Sequence, residues 1–170
     1  PNQIYAKSFR GAGFGTVLTF QNDGIVRGSS SIVSLGNGSA QKELLKTRAT
    51  AHYSFSKGSS RQSYPKSFMG AVALLRQSIY DAIWAHHNRD QRNLSLTALH
   101  KNLKLKPVIE VDNHNAIRNA LDLGKEFKMS FIIKGSGDEY LKLIEKSLNV
   151  RIFARGDKVK ISGNKKNALT

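Results

Sequence analysis

The sequence predicts an α/β fold with parallel strands, and three observations predict it. Val108 to Val111 is a short run, apolar except for Glu110, that stops at Asp112-Asn113. Ile117, Ala120, Leu121, Gly124 and Phe127 then recur at the three- and four-residue spacing of one buried helical stripe. Met129 to Ile133 is a second run, apolar except for Ser130, the pattern of a strand covered on both faces. The helix between these strands is expected to start near His114, because Asp112 and Asn113 can accept hydrogen bonds from its first free amides. Lys134-Gly-Ser-Gly-Asp-Glu139 follows the second strand as a polar loop, at the strand end where α/β folds place ligands.

From the front, Tyr5 to Arg10 reads as helical, Thr16 to Phe20 and Ser31 to Leu35 as strands, and Asn22-Asp23-Gly24 and Gly36-Asn37-Gly38 as turns. Ala49 to Phe55 is β-rich with poorer alternation. Residues 1–62 thus form a β-rich, Gly/Ser-rich segment, and residues 63–170 an α/β segment that ends in a basic helix and hairpin. Tyr64-Pro65 opens the longest helix, with Pro at a first-turn position, and Phe68, Val72, Leu75, Ile79, Ala82 and Ile83 line its buried side. The tail reads as a helix with Leu141, Ile144 and Leu148 inward, then a hairpin through Arg155-Gly-Asp-Lys158. The same helix and strand also fit a further strand–helix–strand step.

Composition bounds the function. With 170 residues the chain is shorter than the roughly 250 of a complete eight-stranded α/β barrel. It begins at Pro1, which favours a piece of something longer. The absence of cysteine excludes disulfides and thiolate metal sites. No stretch reaches the about 18 consecutive apolar residues of a membrane span, so a soluble domain is expected. Lys and Arg number 27 against 12 Asp and Glu, a net charge of +15 and a pI near 10.2, which makes a polyanion such as RNA a candidate partner. From Tyr140 to Thr170 there are eight bases against two acids.

Several familiar chemistries are not written here. Gly11, Gly13 and Gly15 follow a helix rather than a strand and lack the Gly-x-x-Gly spacing of a dinucleotide loop, so they read as turns. No phosphate-binding Gly-x-x-x-x-Gly-Lys-Ser/Thr loop occurs. His86 and His87 point about 100° apart on a helix and suit its C-terminal carbonyls better than a shared ion. His52, His100 and His114 are isolated, and Ser59 and Ser60 have no neighbouring base in the sequence.

Longer motifs carry a resemblance. Gly13-Phe-Gly-Thr-Val-Leu-Thr, Asp23-Gly-Ile-Val-Arg-Gly, Ala51-His-Tyr-Ser-Phe-Ser-Lys-Gly-Ser-Ser, Tyr64-Pro-Lys-Ser-Phe-Met-Gly-Ala-Val-Ala-Leu-Leu-Arg-Gln and Ile132-Ile-Lys-Gly-Ser-Gly-Asp-Glu-Tyr occur in that order. Together, over about residues 1–140, they resemble bacterial amidohydrolases related to imidazolonepropionase, many of them exported or periplasmic. The resemblance implies a partial βα-barrel-type segment with an irregular β-rich insertion, metal-dependent hydrolysis of C–N bonds in a small amide, and a divalent metal such as zinc. It also implies that the first-strand His-x-His would lie upstream of Pro1 and the water-activating Asp downstream of Thr170. At the strand ends where relatives place ligands stand Glu110, Asp112 and Lys134. These are the candidate catalytic residues, with Lys134 the candidate metal ligand, a role a lysine fills only after carboxylation.

The tail, about residues 136–169, resembles instead the N-terminal K-homology-like segment of PhoH-like proteins. That implies an RNA-binding alternative through Arg151, Arg155, Lys158 and Lys160, without the Gly-x-x-Gly clamp of true K-homology domains.

Overall fold

The computed structural model describes residues 3–88 and 93–135 and the backbone of 151–154. The fold is mixed α/β, with helices beside antiparallel and parallel strands. The chain divides into two compact units, Pro1–Lys106 and Pro107–Thr170.

The first unit begins with helix α1 (Gln3–Gly11) and continues through strands β1 (Thr16–Thr19), β2 (Val26–Ser29), β3 (Ser31–Ser34), β4 (Leu44–Lys46) and β5 (Thr50–Ser54). One antiparallel sheet has the order β1-β3-β4, with Thr16 opposite Ser34 and Thr19 opposite Ser31. β2 pairs antiparallel with β5, and its register shifts between Val26 and Gly28. Arg27 is the extra residue of this bulge, and Gly28 beside it has φ +82°, a backbone conformation that a glycine takes without steric cost. The sequence did not reveal β2 and β4: β2 holds Arg27 and Gly28, and β4 is three residues long and exposed.

β5 is buried from Ala51 to Ser54, and its Thr50 and His52 side chains find polar partners within the core. Ser30 Oγ lies 2.6 Å from Thr50 Oγ1, which in turn lies 2.8 Å from His52 Nε2. The His52 ring stacks on Phe20 at 4.0 Å. His52 is therefore a core residue. Burial also pushes the Tyr53 hydroxyl up to about 12.

Helix α2 spans Phe68–His87, three residues later than its proline suggests. Ser67 sets the start, since its side chain accepts from the Gly70 amide while its own backbone is extended. Ala71, Val72, Leu75, Ile79 and Ala82 form the buried stripe, and Phe68 packs edge-on against Phe55 at 5.3 Å. Helix α3 (Leu94–Asn102), capped by Asn93, packs on α2. No apolar stripe marks this helix in the sequence, because only Leu99 and Asn102 of its nine residues are buried.

The second unit is a strand–helix–strand step: β6 (Lys106–Glu110), α4 (His114–Glu126) and β7 (Ile132–Gly135), then β8 (Arg151–Ala154). β6 pairs parallel with β7, and β7 parallel with β8. α4 starts at His114, where Asn113 Oδ1 accepts from the Ala116 amide at 2.9 Å. Its buried stripe is Ala116, Ile117, Ala120 and Leu123; Leu121 and Phe127, expected inside, are half-buried. Gly124 permits the turn into β7, since a Cβ there would stand 2.7 Å from the Met129 carbonyl oxygen and 3.4 Å from the Phe131 ring.

β8 runs parallel to β7, so its backbone continues the strand–helix–strand pattern. Arg155, Lys158, Lys160, the tail helix and the second arm of the expected hairpin lie outside the described residues. No described helix is long and apolar enough to cross a membrane.

Candidate active site

Parallel pairing decides which side chains meet at the end of the second unit's sheet. Val108, Ile109 and Glu110 stand opposite Ile132, Ile133 and Lys134. Because side chains alternate along a strand, Ile109 and Ile133 share one face and enter the core, while Glu110 and Lys134 share the other. A further bond from the Val111 amide to the Lys134 carbonyl, 2.9 Å, carries the ladder past Glu110 and holds the two backbones together at this point. The outcome is a salt bridge in which Lys134 Nζ donates to Glu110 Oε2. Both side chains keep about a third of their surface exposed, 36 % for Lys134 and 33 % for Glu110.

The neighbouring turn is equally defined. Asn113 works in two directions, capping α4 through Oδ1 and donating through Nδ2 to Asp112 Oδ1 at 2.7 Å. Asp112 is exposed and makes that contact rather than one to Lys134. Of the three candidate catalytic residues, the fold therefore joins Glu110 to Lys134 and leaves Asp112 on the adjacent turn. All three lie at the C-terminal ends of parallel strands, the side of such sheets from which ligands are approached.

Chemically, the pair offers a carboxylate that can take a proton and an ammonium that can donate hydrogen bonds, in partial contact with water. It does not offer a metal site. A lysine that bridges metals does so as a carbamate, which has lost its positive charge and would set an anion against Glu110 where an attraction now exists. No three His, Asp or Glu side chains among the described residues are grouped to hold an ion. The described residues therefore do not fit the divalent metal implied by the sequence resemblance.

Histidines gather elsewhere, in the first unit. His86 stacks on His100 with ring centroids 3.8 Å apart, and His87 Nδ1 lies 2.8 Å from the Ile83 carbonyl oxygen. His87 thus meets the helix-end carbonyls, whereas the partnership of His86 with His100 links two helices and left no mark in the sequence. His100 is held below the usual histidine range, first by burial, then by repulsion from His86, Lys104 and His87. A depressed folded-state value means that the unfolded chain binds the proton more readily. The associated stability is full above the ordinary histidine value of about 6.5 and is lost as pH falls through the folded value. The urea midpoint is accordingly expected to be lower at pH 5 than at pH 7, and His100→Gln to reduce that difference; an unchanged pH dependence would rule out this origin.

Among solved structures, the fold is similar to the crystal structure of an amidohydrolase from Thermotoga maritima MSB8. The TM-score is 0.71 at 16 % identity, over 84 % of this chain and 42 % of that one. At that identity the likeness is one of fold. The chain spans less than half the length of that amidohydrolase. No family model matches the sequence, and no curated protein does; the tail's K-homology-like resemblance gains no support from these comparisons. What the comparison does establish is a mixed α/β architecture, with parallel strands, of the kind seen in part of an amidohydrolase.

Proposed function

We propose that this chain is an internal segment of an amidohydrolase-like hydrolase and that its strand-end rim takes part in opening a C–N bond of a small neutral amide. The observation that carries the reading is the Glu110–Lys134 pair at the C-terminal ends of adjacent parallel strands, in a chain whose fold is similar to that of an amidohydrolase. The motif resemblance in the first 140 residues favours a cyclic amide of the imidazolone type and an exported protein.

In this reading the Glu110 carboxylate accepts a proton from the attacking water as its oxygen bonds to the carbonyl carbon. The Lys134 ammonium stands beside the carbonyl oxygen, which gains negative charge at that moment. The proton then passes from Glu110 to the leaving nitrogen as the C–N bond breaks, giving a carboxylic acid and an amine. No step here is assigned to a metal.

The test is ring opening of imidazolone and hydantoin substrates, followed by loss of ultraviolet absorbance and by identification of the acid product. It is run on the 170-residue chain and on the product of the intact gene. Turnover by either is the expected result, and absence of hydrolysis in both would overturn the proposal.

A further inference from the structure

Helix α3 is lightly anchored. Of its nine residues only Leu99 and Asn102 are buried, and few buried contacts mark an element that can open without global unfolding. Asn102 Oδ1 accepts from Arg48 Nη2 at 2.9 Å. The His86–His100 stack fastens the same helix to α2, with ring centroids 3.8 Å apart and planes within 12°. His100 is half-buried, and its Nδ1 is fully enclosed with no hydrogen-bond partner among the described residues. A neutral imidazole tolerates that position, because the tautomer with its proton on Nε2 leaves Nδ1 bare. An imidazolium does not: both nitrogens then carry hydrogen, and a buried cationic N–H without an acceptor is among the costlier groups a fold can hold.

The surroundings add to that cost. Charge acts on His100 from His86, Lys104 and His87, all bases, and Lys101 beside it is exposed. Arg27, the charged residue of β2, which α3 also touches, is buried and donates through Nε to the Gly24 carbonyl oxygen. On α2, Asp81 stands five residues before His86, about 140° around the helix, and accepts from Gln77. Residues 93–106 contain no acid, and in the link between the helices Asp90 is accompanied by Arg89 and Arg92. Packing alone accounts for the ring contact, but not for a titratable nitrogen enclosed among bases. We propose that the stack is an acid-released latch: His100 takes up a proton only when α3 leaves α2, so acid frees α3 while the core of α2 stays folded. Global destabilisation by acid requires only that the unfolded chain bind the proton, whereas the latch requires a partly folded state that binds it too. The device is independent of the Glu110–Lys134 rim, so it and the hydrolytic reading fail separately.

The test is amide hydrogen exchange on the whole isotope-labelled chain, followed residue by residue and corrected for the intrinsic rate at each pH. Between about pH 7.5 and about pH 5, the protection of the α3 amides from Ala98 to Asn102 should fall about five- to thirtyfold, thirtyfold being the limit for one imidazole that titrates at about 6.5 once freed. At the lower pH those amides should be at least about tenfold less protected than those of Leu75 and Ile79, buried on α2, and should depend little on urea, as a local opening does. His100→Phe keeps a ring in the stack and removes the proton site, and should cut the pH effect to less than about twofold. Where that variant alters the thermal midpoint, His100→Gln repeats the measurement. His114→Phe, at an exposed histidine of the other unit, should keep the full effect. An α3 protection that does not change with pH, a full pH effect in His100→Phe, or α3 amides as protected and as urea-sensitive as those of Leu75 and Ile79 would each overturn the proposal.

Discussion

Replacing Ile133 by alanine is expected to destabilise the second unit by about 2–5 kcal/mol, the cost of removing a large aliphatic side chain from a site that cannot collapse. Ile133 is 0 % exposed and lies on β7, with Ile109 of β6, itself 0 % exposed, on one side and Ile152 of β8 on the other. Relaxation toward the gap is resisted because β7 is hydrogen-bonded to both neighbours. Equilibrium urea unfolding measures the effect as a lower midpoint at unchanged slope, with Lys128→Ala, an exposed position, as the reference expected to fall within about 0.5 kcal/mol of the parent. A loss for Ile133→Ala no greater than the reference would mean that the strand is not held between two partners.

The other large effect concerns turnover. Glu110→Gln keeps the shape of the side chain and removes the proton acceptor, and the hydrolytic reading expects a loss of at least about 100-fold in kcat. The exchange Glu110→Lys with Lys134→Glu separates that role from a merely structural one. Either single change sets like charges opposite each other across the β6–β7 pair and should lower stability by about 1 kcal/mol, a modest cost because both side chains are partly exposed. The double exchange restores an attraction across the same register and should recover most of that stability. Turnover should not recover, because the carboxylate and the ammonium have changed strands relative to the substrate. Full activity in the double variant would show that the pair acts as a fastener only. A double variant no more stable than the singles would show that the charges do not interact.

Much of the second unit was legible in the sequence, for a physical reason. Val108 to Val111 marks β6, the run from Met129 to Ile133 begins three residues ahead of β7 (Ile132–Gly135), and Asn113 marks the intervening helix by the cap it supplies. Register was legible only as a possibility. That Glu110 meets Lys134 depends on the pairing of β6 with β7, which no local pattern encodes. The first unit was harder to read. β4 is exposed along its length and β2 contains a bulge, so neither shows the alternation that identifies a strand. α3 escaped notice because few of its residues are buried, and its association with α2 rests partly on two histidines stacking across a break in the sequence. Tyr64-Pro65 misplaced the start of α2 because a proline is compatible with a first turn without requiring one, whereas the Ser67 side chain actually closes it.

The spacing of the parallel pairs bears on how the molecule assembles. Glu110 and Lys134 are 24 residues apart, and every bond between β6 and β7 waits on a crossover of about that length, whereas the antiparallel partners Thr19 and Ser31 of β1 and β3 are half as far apart along the chain. Closing the longer segment costs entropy before any contact repays it. On a growing nascent chain, the polar rim is therefore among the later features to mature, and it exists only after α4 has emerged and folded back.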